Sequence, residues 1–163
     1  MRHILSILVD NEPGVLARIA GLFTARGFNI ESLCVAETER PSLSKITLVT
    51  SGEDWVIDQI IKRFENMINV IKVRDFSDAD SIQRELIIAR VVPTKNSRSE
   101  VLRVADIFRS NVVDVGPKSY TLELTGNKEK LEAFVAILRP LGLKEVTRTG
   151  LISLPREKKM KEI

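Results

Sequence analysis

The sequence predicts an α+β protein written twice, each half running strand–helix–strand–strand–helix–strand. Arg18-Ile-Ala-Gly-Leu-Phe23 recurs as Arg103-Val-Ala-Asp-Ile-Phe108, an offset of 85. Ile46-Thr-Leu-Val-Thr-Ser-Gly52 recurs as Tyr120-Thr-Leu-Glu-Leu-Thr-Gly126, an offset of 74. At that second offset Ile57, Ile60, Ile61 and Phe64 become Leu131, Phe134, Val135 and Leu138, the spacing of one helix face. The smaller second offset makes the second copy shorter than the first between its first helix and its third strand. A chance match of helix faces is the alternative, and the agreement in order and type of every element speaks against it. Two βαββαβ units in tandem are two ferredoxin-like sandwiches, each with two helices on one face of a four-stranded antiparallel sheet.

In the first copy Ile4–Val9 reads as a strand and Val15–Ala25 as a helix, buried through Val15, Leu16, Ile19, Leu22 and Phe23. Gly27 ends that helix in the left-handed cap position. Strands follow at Asn29–Glu37 and Ser44–Thr50, joined through Pro41, then a helix over Asp54–Asn66 and a strand over Val70–Phe76. Ser77-Asp78-Ala79-Asp80-Ser81 is the polar boundary, which divides the chain into domains 1–78 and 79–163. The second copy reads as a strand over Leu86–Val92, a helix over Arg98–Ser110, and Asn111 in the role of Gly27. A hairpin of Val112–Val115 and Ser119–Leu124 turns at Gly116-Pro117; a helix over Lys128–Leu138 and a strand over Lys144–Thr149 complete it. Strands that alternate only partly suit sheets whose outer face or edge meets another layer or subunit.

The chain has 163 residues, 44% apolar and 29% charged, which suits two small globular domains and excludes a wholly disordered chain. Such small domains gain from pairing with a second chain. The opening apolar run is interrupted by Ser6 and stopped by Asp10, too short for a signal core or a membrane span. One cysteine, Cys34, makes no internal disulfide, so a reducing cytoplasm is the expected home. The net charge of +3 conceals an asymmetry: residues 1–80 carry 9 Lys/Arg against 12 Asp/Glu, and residues 81–163 carry 16 against 10. Part of that excess is the tail from Pro155 to Lys161, read as solvated, and the remainder is too dispersed to argue for nucleic acid.

Between the first strand and the first helix stands Asn11-Glu-Pro13-Gly14-Val15-Leu16, and after the helix Gly27-Phe-Asn29-Ile30-Glu31. Helix N-termini leave amides unpaired, and a carboxylate is a natural guest there. Pro13 suits the first helical turn, where its missing N–H costs nothing. Gly14 lets a carboxylate approach the amides of residues 14–16, and Asn11 offers both a carbonyl and an amide donor. A good turn before a helix is the alternative. The second copy bears on the choice, because its corresponding segment Asn96-Ser97-Arg98-Ser99 lacks the Pro-Gly pair. One working site on a duplicated scaffold fits that difference.

The loop Asn11-x-Pro13-Gly14-Val15-Leu16 resembles the ligand loop of ACT domains, the amino-acid-sensing modules of metabolism. With the opening Met1-Arg-x-Ile-Leu-Ser6, with Gly27-Phe-Asn-Ile-Glu-Ser-Leu33, with Ile107-Phe-Arg109 and with Asp114-Val-x-Pro117-x-x-Tyr120-Thr121, nearly the whole chain resembles the small regulatory subunit of acetolactate (acetohydroxyacid) synthase. The resemblance implies a chain that is no enzyme on its own. It implies activation of a thiamine-diphosphate-dependent catalytic subunit and feedback inhibition by valine, with leucine or isoleucine weaker guests. Thiamine diphosphate, Mg2+ and FAD are then expected only in that catalytic partner. The effector would lie between the ACT domains of a homodimer, touching Asn11, Pro13, Gly14, Val15 and Leu16 of one chain and Asn29 and Ile30 of the other. The resemblance implies a small polar residue in the family where Pro13 stands here, and so a different effector affinity. A loop role for Asn29 and a core role for Ile30 are the alternatives. An ACT-type regulator of another enzyme, or an RNA-binding sandwich, are the competing functions. The RNA reading lacks paired aromatics, with only Tyr120 on a central strand.

For catalysis the sequence offers no Ser/His/Asp or Cys/His set, the single His3 and Cys34 lying on different strands. His3 reads as a strand-start residue and Cys34 as a small core residue. Gly52-Glu53-Asp54 reads as a turn with an acid at a helix start. Trp55 reads as a helix-start anchor or a contact surface, and Arg18 with Arg103 as the same salt bridge in both copies.

Overall fold

The computed structural model describes residues 1–25, 27–77 and 81–157. Residues 78–80, where the polar boundary falls, and the tail from 158 onward lie outside them. The described chain divides into two units, one of Met1–Ile82 with the segment from Leu151, the other of Gln83–Gly150.

In the first unit the order is β1 (Arg2–Asp10), α1 (Val15–Thr24), β2 (Ile30–Glu37), β3 (Leu43–Ser51), α2 (Asp54–Glu65) and β4 (Val70–Asp75). The strands form one antiparallel sheet ordered β2-β3-β1-β4. This is the ferredoxin-like arrangement that the repeated βαββαβ pattern predicts. Alternation along β1 sends Leu5, Ile7 and Val9 toward the helices. There they bury with Val15, Ile19 and Phe23 of α1 and with Ile57, Ile60 and Phe64 of α2. The Phe23 and Phe64 rings meet at 5.7 Å between centroids. Leu16, expected in this core, is 39% exposed, because it falls on the flank of α1 that turns from the sheet.

Helix α1 ends as Gly27 predicts. Gly27 has φ +70°, its amide donates to Thr24 O, and the Phe28 amide reaches back to Phe23 O. The outer face of the sheet is covered at one end by Leu151, which buries with Ile4, Val49 and Phe76, while its amide donates to Ser32 Oγ at 3.0 Å. The sequence pattern assigns residues 151–157 to the second domain and no strand to them. Instead Ile152–Pro155 is a short strand, β9.

The second unit repeats the plan with β5 (Ser81–Val91), α3 (Arg98–Phe108), β6 (Asn111–Val115), β7 (Tyr120–Gly126), α4 (Lys128–Leu138) and β8 (Leu143–Arg148). Its sheet order is β6-β7-β5-β8, with β9 also pairing β5. Ile87, Ala89 and Val91 bury with Val101, Val104 and Ala105 of α3 and with Leu131, Phe134 and Leu138 of α4. The β6–β7 hairpin closes through Gly116 N–H to Ser119 O at 2.8 Å. One cap differs from expectation. Asn111 begins β6, and the left-handed residue after α3 is Arg109 at φ +56°, with Ser110 N–H donating to Ala105 O. Helix α3 therefore ends at Phe108, short of the Ser110 that the sequence predicts.

Candidate functional site

The loop between β1 and α1 is built by a turn. Glu12 O accepts the Val15 amide at 3.4 Å, and Gly14 sits at φ +85°, ψ −10°. Those angles belong to the third position of a type II turn, with Pro13 presetting φ at the second. Pro13 therefore precedes α1 and does not enter its first turn, since a positive φ at Gly14 ends any helical continuity between them. Gly14 is the N-cap, gives no side-chain cap, and is followed by a first turn without an acidic residue. Among the described residues the amides of Gly14, Leu16 and Ala17 have no acceptor. A Cβ on Gly14 would meet nothing within 4 Å. The helix terminus is thus bare and open.

The loop is pinned from three sides. Asn11 donates its side-chain amide to Glu37 Oε1 at 3.0 Å and to Pro41 O at 2.9 Å, and its backbone amide reaches Ser42 O. Both amide hydrogens are thereby committed to the β2–β3 hairpin, leaving the Asn11 carbonyl as its free end. Asn69, buried ahead of β4, accepts the Asp10 amide on its carbonyl and donates its side chain to Glu12 Oε2 at 3.0 Å. Asn69 and Glu37 are positioning residues that sequence reasoning misses. Neither carries a local signal, because each acts across strands distant in sequence.

Of the remaining site residues, Val15 gives its side chain to the core and its amide to the turn. Leu16 and Asn29 are exposed, and Asn29 O accepts the Thr50 hydroxyl at 2.8 Å. Ile30 is half-buried against the first core. One protomer does not bring the two groups together: Gly14 opens α1, whereas Asn29 and Ile30 follow its far end, about 15 Å away for a helix of this length.

The other candidates resolve differently. His3 is almost fully buried, with Nε2 3.2 Å from Asp54 Oδ1, Nδ1 3.7 Å from Asp75 Oδ2 and 3.3 Å from Ser77 Oγ. The fold thus assembles a Ser/His/Asp group that the strand positions do not foretell. Its chemistry is structural, since Ser77 Oγ donates to Asp75 Oδ1 and accepts the Ile4 amide, leaving no hydroxyl for His3 to activate. The cluster ties the start of β1 to α2 and to the end of β4.

Cys34 is half-buried on the outer sheet face, opposite Thr47, and not in the core. Trp55 is 60% exposed, its Nε1 donating to Glu53, so it anchors nothing in the core. Glu53 stands at the N-cap position of α2 without a side-chain cap, and Asp54 is the first-turn acid, as the turn reading expects. Arg103 pairs with Glu100 on its own helix, and Arg18 makes no ion pair among the described residues, so the two arginines share no bridge. No group of three or more His, Cys, Asp or Glu able to hold a metal occurs among the described residues. No described helix is long and apolar enough to cross a membrane.

The first unit, ferredoxin-like and opening its first helix at a bare Gly14, belongs to the ACT class by its match to an ACT-domain family model. Residues 5–72 match the family model for the acetohydroxyacid synthase small subunit-like ACT domain, and residues 84–157 match that for the small subunit of acetolactate synthase. The chain is 46% identical over 155 residues to the probable acetolactate synthase small subunit of Methanothermobacter thermautotrophicus, covering 94% of this chain and 92% of that one. It is 46% identical over 160 residues to the acetolactate synthase small subunit of Haemophilus influenzae, covering 98% of each. The crystal structure of the acetolactate synthase small subunit from Thermotoga maritima superposes with a TM-score of 0.87 at 34% identity, covering 97% of this chain and 99% of that one. The chain belongs to the acetolactate synthase small-subunit family.

Proposed function

We propose that this chain is the non-catalytic regulatory subunit of an acetolactate synthase. In this reading it activates the thiamine-diphosphate-dependent catalytic chain, which holds the thiamine diphosphate, Mg2+ and FAD. It also confers feedback inhibition by valine, with leucine and isoleucine as weaker effectors. The observation that carries the reading is the bare N-terminus of α1 at Gly14, in a chain of this family. Valine's carboxylate would accept the free amides of Gly14, Leu16 and Ala17, and its ammonium would meet the Asn11 carbonyl. Leu16 of one protomer and Ile30 of the partner would contact the side chain, with Asn29 beside it. Pro13 would contribute by fixing the turn.

A homodimer is required, because the two halves of the site stand at opposite ends of α1. The surface of α1 supports that pairing. Leu16, Ala17, Gly21 and Thr24 are exposed and uncharged, with Arg18 the one charge on the helix, whereas the exposed side of α2 carries Asp54, Asp58, Lys62 and Arg63. Small residues let two helices approach closely.

The test is acetolactate formation by the catalytic chain, with and without this protein, across a valine titration. Stimulation that valine reverses is expected, and a coupling of ~1–3 kcal/mol would change activity about 5- to 150-fold. Gly14→Asp should abolish the valine response by placing a fixed carboxylate at the amides. Gly14→Asn bears the same left-handed backbone strain without the charge and should retain most of it. Equal loss in both variants would assign the effect to the turn and overturn the carboxylate assignment. No stimulation by the wild type would overturn the regulatory reading.

A further inference from the structure

The outer face of the first sheet carries a feature that the effector loop does not use. A cleft of about 380 Å³ is lined there by Ser6 and Leu8 of β1, Thr38, Glu39 and Arg40 of the hairpin, Leu43 and Lys45 of β3, and Lys72 and Arg74 of β4. Strand register explains the convergence. Lys45, Leu8 and Lys72 are neighbours in one row across β3, β1 and β4, and Ser6 and Arg74 are neighbours in the next. Successive strands lie about 4.8 Å apart, so the two lysine Cα atoms are roughly 10 Å apart with Leu8 between them. Their ammonium groups stand over the same floor.

The charge is out of keeping with its surroundings. Residues 1–80 hold more acids than bases, yet four of their nine Lys and Arg side chains line this one cleft. None of the four makes an ion pair with the described residues. Glu39, on the exposed hairpin, is the single carboxylate in the lining. Burial first, and then the neighbouring Arg74 guanidinium, hold the Lys45 ammonium below the usual lysine range. The cleft therefore concentrates positive charge that its own residues leave uncompensated.

We propose that this cleft is a second small-molecule site, taking an oxyanion ligand of the diphosphate type with at least two negative charges. A monocarboxylate would leave most of the cationic lining unmatched, and a single inorganic ion would leave most of the volume unfilled. Arg40 and Arg74 offer planar donor forks suited to phosphate oxygens, and Lys45 and Lys72 supply point charges. Leu8 and Leu43 give an apolar floor for the body of such a ligand. The proposal is independent of the valine reading.

Isothermal titration of the full chain with inorganic pyrophosphate at low salt tests it. Saturable binding is expected, weakened about tenfold or more by Lys72→Met and by Arg74→Met, since a hydrogen bond to a charged group contributes ~1.5–3 kcal/mol. Both residues are exposed, so neither change opens the core. Lys95→Met, an exposed cation of the second unit, should leave affinity unchanged, and an equal loss there would reduce the effect to diffuse charge and overturn the site. Absence of saturable binding by the wild type overturns it outright. Capture of a polyglutamate peptide without pyrophosphate binding would overturn it in favour of a protein-docking face. Valine titrated into the same variants separates the two sites: an intact valine response beside lost pyrophosphate binding supports the proposal.

Discussion

At the scale of single residues, left-handed backbone positions divide the work of starting and ending helices. Gly14 at φ +85° and Gly27 at φ +70° adopt that conformation without steric penalty. Arg109 adopts it at φ +56°, bearing a Cβ against the following carbonyl. That arrangement costs about 1–2 kcal/mol, partly offset against glycine's greater freedom in the unfolded chain. The guanidinium makes no ion pair among the described residues, so little is lost with it. Arg109→Gly should stabilise the second unit by roughly 0.5–1 kcal/mol and raise the melting temperature by about 1–4 °C. A thermal scan followed by circular dichroism checks it, and a fall would mean that the arginine side chain holds a partner in solution. The same residue explains why Asn111 misleads at the level of sequence: asparagine is the better left-handed former by type. The cap position, however, is set by where the α3 core face ends, at Phe108, which packs on Phe134 immediately before Arg109.

At the scale of elements, periodicity makes α4 legible to the residue, because Leu131, Phe134, Val135 and Leu138 all meet the sheet. The start of β5 and the buried face of α1 are less legible. Strand β5 begins at Ser81, well before its buried stretch, where Gln83 and Arg84 carry no apolar alternation. In α1 the pattern assigns every large apolar residue to the core, although Leu16 faces outward. The loop of the candidate site is visible as Pro13-Gly14, since a turn is a local event. Commitment of the Asn11 amide to Glu37 and Pro41 is not, since it depends on tertiary pairing. The outward face of α1 makes its own prediction. A Cβ on Gly21 would meet nothing within 4 Å, so a larger residue is free of clashes within the protomer. Gly21→Gln should even favour the helix by roughly 0.5–1 kcal/mol. In the dimer proposed above it would hold the two α1 helices apart. Sedimentation should then show a folded monomer where the wild type is a dimer, with the valine response lost. A dimer that survives the substitution would move the interface away from α1.

At the scale of the whole molecule, the first unit is completed by residues from the far end of the chain. Ile4, Val49 and Phe76 lie on the outer sheet face, where solvent would otherwise reach them, and Leu151 closes that patch. The sequence hides this because Ile152-Ser-Leu-Pro155 is too short to show a period and follows a strand that already completes the βαββαβ pattern. Truncating a buried leucine typically costs about 2–5 kcal/mol, and a small cluster covered from one side belongs near the lower end. Leu151→Ala should therefore destabilise the first unit by roughly 2–3 kcal/mol. Hydrogen exchange read by mass spectrometry localises the effect, because a loss of that size lowers protection by about 30- to 150-fold wherever exchange follows opening of the unit. Peptides from β1 and β3 should show it, and peptides from α4 serve as the internal reference. Unchanged protection in β1 would mean that the sheet face closes without Leu151, and that the six elements from β1 to β4 carry their own cover.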